Sequence, residues 1–191
     1  LNEGIALASA DFERRETLAS EGFLLYFSSG TTGNPKMVLH DSGYALAHTC
    51  TAKHWHRVKS DDNGLHFTIA DTGWGKAVWG KLYGQFIMEA AVLTYDFDRF
   101  EPADILALLE KYRVTTFCVP PTMYRLLMNY GLENFDLSSL EYCTTAGEAL
   151  NPDLFENWHK RTGIKLAEGF GQTETVVSIC NTPGMEPKAG S

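Results

Sequence analysis

The segment TTFCVPPTMYRLLMNYGLENFDLSSLEYCTTAG (residues 115–147) passes from a β-rich run to a helical one and back. TTFCV is a short strand, PTMYRLLMNYG a helix ended by Gly131, and LEYCTTAG (140–147) a second strand. The alternation extends in both directions. Downstream, Asn151-Pro152 caps a helix that runs to Gly163, and IKLAEGF (164–170) is the last clear strand. Upstream, Ile105, Leu108, Leu109 and Tyr112 fall at i, i+3, i+4, i+7 after Pro102, the signature of one apolar helix face. AAVLTY (90–95) and GLHFTI (64–69) read as strands, and residues 75–88 and 41–57 as helices. Strands alternating with helices predict an α/β domain, a layered and largely parallel sheet with flanking helices. In such sheets ligands bind beyond the carboxyl ends of the strands, so the loops that follow strands should carry the chemistry.

The chain's 191 residues, 44% hydrophobic and 21% charged, are enough for one sizeable core. A net charge of −8 without a basic stripe argues against a nucleic-acid partner. Counter-charge for a small anion must therefore be local: a lysine, backbone amides or a metal. Cys50, Cys118, Cys143 and Cys180 lie far apart and form no CxxC pair, so neither a zinc site nor a disulfide framework is expected. Reduced thiols point to the cytoplasm or an organelle matrix. No apolar stretch reaches membrane-spanning length and no charged-then-apolar leader precedes the first strand.

YFSSGTTGNPKMVLH (26–40) places nine small or polar residues, Ser28 to Lys36, between two apolar runs. A plain hairpin turn needs two or three. Small residues expose backbone N–H groups, and hydroxyls and an ammonium add donors, an inventory that suits a polyphosphate. The P-loop of nucleotide hydrolases does not fit, because Pro35 precedes Lys36 and Met37 follows it. The segment joins strand to strand, GFLLYF to MVLH, and by itself reads equally as a long hairpin loop or a phosphate loop.

Three further loops follow strands: ADTGWG (70–75), TTAGEAL (144–150) and EGFGQTE (168–174). Singly, each has an ordinary reading: Trp74 as a core or interface aromatic, Gly147 as a turn, and Gly169 and Gly171 as loop punctuation. Their order after the hydroxyl-rich loop suits ATP, an organic group and Mg²⁺. The residues His54 and His56 flank Trp55 beside Lys53 and Arg57; spaced i, i+2 they do not share a helix face, so an amphipathic surface patch is expected rather than a metal site. Cys118 and Cys143, in apolar strands, read as inert core thiols.

FSSGTTGNPK, ADTGWG, TTAGEALNP and EGFGQTET, in this order, resemble the AMP-forming adenylating enzymes: acyl-CoA synthetases, luciferases and peptide-synthetase adenylation domains. PKMVLH, DTGW, PPTMYRLL and AGEALNPDLFENW are most similar to the medium-chain acyl-CoA and benzoate-CoA ligases. The resemblance covers nearly all of residues 22–191 and corresponds to the middle of that family's large N-terminal domain. It implies that Ser28, Ser29, Gly30, Thr31, Thr32, Gly33, Asn34, Pro35 and Lys36 grip the β- and γ-phosphates. Gly147, Glu148 and Ala149 would border the adenine. Glu168, Gly169, Phe170, Gly171, Gln172 and Thr173 would hold the adenylate, with Thr173 on the α-phosphate. Glu174 would ligate Mg²⁺, and Trp74 and Gly75 would line the acid pocket. Lys36, Thr173 and Glu174 are thus the implied catalytic set, ATP, coenzyme A and a carboxylic acid the implied small molecules, and Mg²⁺ the implied cofactor. Phe170 stands where the family often has tyrosine, which keeps a stacking ring and loses a hydroxyl. The family's ribose-binding aspartate and mobile C-terminal lid with its lysine would lie beyond Ser191. Trp74 and the glycine-spaced, flexible stretch 73–84 suggest a short to medium aliphatic or an aromatic acid. The alternatives are a nucleotide-binding fragment without turnover and an adenylation domain that loads a carrier protein.

Overall fold

The structure is a computed structural model that describes residues 2–9, 11–28, 34–61 and 63–188. Five parallel strands form most of the main sheet: β3 (Leu65–Thr68), β4 (Ala91–Leu93), β5 (Thr116–Cys118), β6 (Tyr142–Ala146) and β7 (Leu166–Gly171). A sixth strand, β8 (Val177–Cys180), closes one edge antiparallel to β7, and the order across the sheet is β4-β3-β5-β6-β7-β8. The expected α/β layering and largely parallel sheet are therefore present. β8 was not foreseen, although the β-branched run VVSIC (176–180) carries the signal for it.

Alternation along each strand builds two unlike layers. Phe67, Phe117, Cys143 and Leu166 point to one face, where α5 (Pro102–Lys111), α6 (Pro121–Tyr130) and α7 (Pro152–Thr162) bury Ile105, Leu109, Tyr124, Leu127, Leu154 and Trp158 against them. α7 starts as its sequence predicts: the Asn151 side chain accepts the N–H groups of Asp153 and Leu154, and Gly163 ends it in the left-handed conformation. The opposite face is set by smaller and polar strand residues, among them His66, Thr68, Thr116, Cys118, Thr144 and Ala167, all buried. These leave room for large side chains from the helices above, Trp55 and Trp79.

That second layer departs from the expected helices. Residues 41–57 are not one helix: Asp41 ends a strand, α2 (Gly43–Cys50) follows, and Thr51–His56 form a π-helical turn closed by Arg57 in the left-handed conformation. The wider turn sends Trp55 and His56 into the core together, while Lys53 and His54 stay exposed. The surface patch expected around Trp55 is thus corrected: Trp55 and His56 are fully buried, and His56 Nδ1 meets Thr144 Oγ1 at 3.1 Å. The helix expected over 75–88 breaks at Leu82 into α3 (Gly75–Lys81) and α4 (Tyr83–Ile87). The glycines there serve packing rather than flexibility. A Cβ on Gly84 would lie 2.2 Å from the His48 carbonyl oxygen, so only glycine lets α4 approach α2 this closely.

A short helix, α1 (Asn2–Leu7), precedes a separate antiparallel hairpin of β1 (Gly22–Ser28) and β2 (Lys36–Asp41). This confirms that the hydroxyl-rich loop joins two strands. In its register Tyr26 faces Val38 and Ser28 faces Lys36. One hairpin face carries the exposed Phe23, Leu25, Phe27, Met37 and Leu39. The other turns Tyr26, Val38 and His40 toward α2 and the ends of the main sheet.

Candidate active site

The carboxyl ends of β6 and β7 open into a cavity of about 640 Å³. Two of the stretches singled out in the sequence meet there: Gly147, Glu148 and Ala149 in the loop after β6, and Glu168, Gly169, Phe170 and Gly171. The latter four are expected in a loop but form the last four residues of strand β7, held there by pairing with β6 and β8. The far wall is Ile179, Cys180, Asn181, Met185 and Lys188, which sequence reasoning did not select. Parallel pairing of β6 with β7, with Ala146 beside Gly169, sets the loop after β6 beside the last residues of β7, which stay in the sheet through their pairing with β8.

Hydrogen bonds fix this wall. Glu168 Oε1 accepts the Leu150 N–H at 2.9 Å and so tethers the Gly147–Ala149 loop to β7. Asn181 pairs with the Glu168 backbone, its Oδ1 accepting from Glu168 N at 3.0 Å and its N–H donating to Glu168 O at 2.9 Å. Glu148 Oε2 accepts from Thr122 Oγ1 at 2.6 Å, tying the loop to the start of α6. Lys76 is buried beneath the same loop and donates to the Ala146 carbonyl at 3.3 Å. Burial pushes its pKa down, against the pull of Cys118 and Glu148.

Gly169 is glycine because Trp55 lies under it. A Cβ there would sit 2.5 Å from Trp55 Cζ2. The indole is in turn held by its N–H to the Ala167 carbonyl at 3.2 Å. Phe170, next along β7, keeps 55% of its surface exposed and presents its ring on the cavity wall. On the face of the sheet covered by Trp55 and Trp79, His66 is enclosed: Nε2 donates to the Gly80 carbonyl at 2.8 Å and Nδ1 lies 2.8 Å from Thr116 Oγ1. Burial lowers its pKa to about 4, which keeps the imidazole neutral at physiological pH. Cys118 and Cys143 are fully buried, and burial raises the Cys143 thiol to about 12, so it stays an inert core group as expected.

The remaining predicted residues that the structure describes do not line this cavity. Lys36 begins β2, exposed, with Asn34 and Pro35 exposed before it and the half-buried Ser28 across the hairpin. Ser29, Gly30, Thr31, Thr32 and Gly33 fall outside the described residues. Trp74, at the start of α3, is 62% exposed and so is not a core aromatic. Gly75 packs on the hairpin's inner face, where its Cβ would lie 3.7 Å from Tyr26 Cζ. Gln172 is exposed, and its backbone N–H donates to Thr175 Oγ1. Thr173 is tied to the hairpin through its carbonyl, which accepts from His40 Nε2 at 2.7 Å. Neither His40 nor Tyr26 stood out in the sequence, because only tertiary contact gives them a place beside these loops.

Glu174 is exposed at the end of this loop. Among the described residues no group of three or more His, Cys, Asp or Glu could enclose a metal ion. A single exposed carboxylate does fit Mg²⁺, a hard cation that takes few protein oxygens and fills its shell with phosphate and water.

Residues 6–191 match the family described as AMP-binding enzyme. The chain belongs to this family. Curated relatives agree. The mitochondrial acyl-coenzyme A synthetase ACSM3 of Homo sapiens is 38% identical over 92% of this chain and 30% of its own length. The mitochondrial acyl-coenzyme A synthetase ACSM5 of Homo sapiens is 39% identical over 96% of this chain and 31% of its own length. The chain thus spans about a third of the relatives it matches. Among solved structures, an anthranilate CoA ligase in complex with anthranoyl-AMP superposes with a TM-score of 0.86, at 27% identity over 97% of this chain and 36% of that one. The Brucella canis acyl-CoA synthetase gives 0.84, at 26% identity over 98% and 34%. The α/β layering is therefore that of the AMP-binding enzymes, and among the described residues no helix is long and apolar enough to cross a membrane.

Proposed function

We propose that the full-length protein activates a carboxylic acid with ATP and passes the acyl group to coenzyme A. In the first half-reaction a carboxylate oxygen attacks the α-phosphorus, the bond to the bridging oxygen breaks, and pyrophosphate leaves. In the second a thiolate attacks the acyl carbonyl, the acyl–oxygen bond breaks, and AMP leaves. No protein nucleophile is needed; the chain's task is to align two anions and offset their charge. The cavity where the Gly147–Ala149 loop meets Glu168–Gly171 carries this reading, because it offers a slot beside an exposed aromatic ring at the carboxyl edge of the sheet.

In this reading the slot takes adenine, with Phe170 against its face. Thr173 holds the α-phosphate, and Lys36, with the loop before it, holds the β- and γ-phosphates. Glu174 holds Mg²⁺, which when bound supplies charge neutralisation on the phosphates. Trp74 and Gly75 line the acid pocket, and the acid is a medium-chain or aromatic carboxylate. Of the two compartments consistent with reduced thiols, the mitochondrial designation of the relatives favours an organelle matrix over the cytoplasm. ATP–pyrophosphate exchange on the full-length protein, across a panel of aliphatic and aromatic acids, tests the proposal. Acid-dependent exchange is expected. ATP binding without exchange for any acid would leave a non-catalytic nucleotide binder, and acyl transfer to a carrier protein but not to coenzyme A would replace the acceptor.

A further inference from the structure

The contacts expected at the phosphates come from two pieces of the fold that no strand joins. Lys36 belongs to the two-stranded hairpin, and Thr173 and Glu174 to the loop between β7 and β8 of the main sheet. Among the described residues one hydrogen bond links the hairpin to that loop: His40 Nε2 to the Thr173 carbonyl, 2.7 Å, between residues 133 apart in sequence. A carbonyl only accepts, so Nε2 carries the proton. The imidazole is not free to swing. It stacks on Tyr44 with ring centroids 3.8 Å apart and planes 20° apart, and Tyr26 meets it edge-on at 5.8 Å. Tyr44 is itself buried. Lys36 and His40 are four residues apart on β2 and so share a face of the strand. The strand that starts at Lys36 is thereby pinned, through a clamped ring, to the backbone of Thr173.

We propose that His40 is a positioning residue that sets the separation between Lys36 and Thr173, and so between the grips on the leaving pyrophosphate and on the α-phosphate. This rests on the reaction proposed above. Either grip alone can bind nucleotide. Only the pair at fixed separation holds the α-phosphorus and the departing oxygen together as the bond between them breaks, so loosening the link should cost turnover more than affinity.

Two substitutions in the full-length protein separate the hydrogen bond from the ring. His40→Phe keeps the stack on Tyr44 and removes the donor, whereas His40→Gln keeps an N–H donor at similar reach. In His40→Phe we expect kcat for ATP–pyrophosphate exchange to fall about tenfold, the loss of one well-made hydrogen bond, with KM for ATP within about twofold. His40→Gln should recover to within about threefold of wild type. A second readout needs neither ATP nor metal. Backbone hydrogen exchange across residues 171–176 should quicken about tenfold in His40→Phe and not in His40→Gln. Thermal melts qualify both proteins, and if the Phe variant does not fold, His40→Leu is held to the same criteria. Unchanged hydrogen exchange in the donor-less variant, or a Gln variant as impaired as the Phe variant, overturns the positioning role. Absence of exchange activity in the wild-type protein overturns instead the proposed reaction, whatever the hydrogen exchange shows.

Discussion

Replacing Gly169 by alanine adds one methyl group at the tightest contact beneath the cavity. The new Cβ would stand 2.5, 2.7 and 3.1 Å from three atoms of the Trp55 ring, where carbon atoms ordinarily rest about 3.5–4 Å apart. Relief therefore needs a shift of roughly 1 Å. The ring cannot retreat easily: it is fully buried, its N–H is held by Ala167, and Trp79 and His56 pack on it with centroids at 5.7 and 4.4 Å. Strand β7 must then bulge outward, at the usual overpacking cost of about 1–3 kcal/mol. For a domain of this size that lowers Tm by roughly 2–12 °C. The same bulge moves Glu168 and Phe170, so nucleotide affinity should fall with stability. Thermal denaturation and calorimetric titration with ATP on the full-length protein measure the two effects. Trp55→Phe supplies the control: the smaller ring frees space, and the double variant should lose less stability than the two single losses added together. A Gly169→Ala protein that melts within a degree of wild type, or a strictly additive double variant, would refute the packing argument.

Lys36→Ala should reduce ATP use in exchange by about ten- to a hundredfold, the worth of a charge-assisted phosphate contact of roughly 1.5–3 kcal/mol; unchanged kinetics would make the loop a plain hairpin. Glu174→Gln keeps shape and removes charge, so half-maximal activity should need more Mg²⁺ while the melting curve stays put; overlapping Mg²⁺ titrations would remove Glu174 as a ligand. Stability should fall on acidification between pH 6.5 and 4. His66 has its pKa lowered from 6.5 to about 4 by burial, so in that window the unfolded chain takes up a proton that the native state refuses. The contribution is fully present above 6.5 and lost by pH 4, by about 3 kcal/mol from this group. Urea midpoints at pH 7 and 4.5 check the sign, and His66→Gln should flatten the dependence.

Features governed by neighbours a few residues apart were legible in the chain itself. Asn151 caps α7 through N–H groups two and three residues on, Gly163 ends it, and the alternation of strand and helix yields the parallel sheet. The order of the four motifs marked the family, and residues from two of them do line one cavity, although residues 168–171 are strand rather than loop. What the tertiary structure alone decided involves partners far away in sequence. Trp55 turns inward because a π-helical turn directs it to Ala167, 112 residues on, and Gly169 answers by having no side chain. The break at Leu82 follows from α4 pressing against α2, where no periodicity shows it. His40 looks like any strand residue until its ring reaches Thr173. Helix caps and strand alternation are written in φ/ψ preference and in apolar spacing, which act over a few residues. The fit between layers is settled only when side chains from distant segments compete for the same volume and the same hydrogen-bond partners.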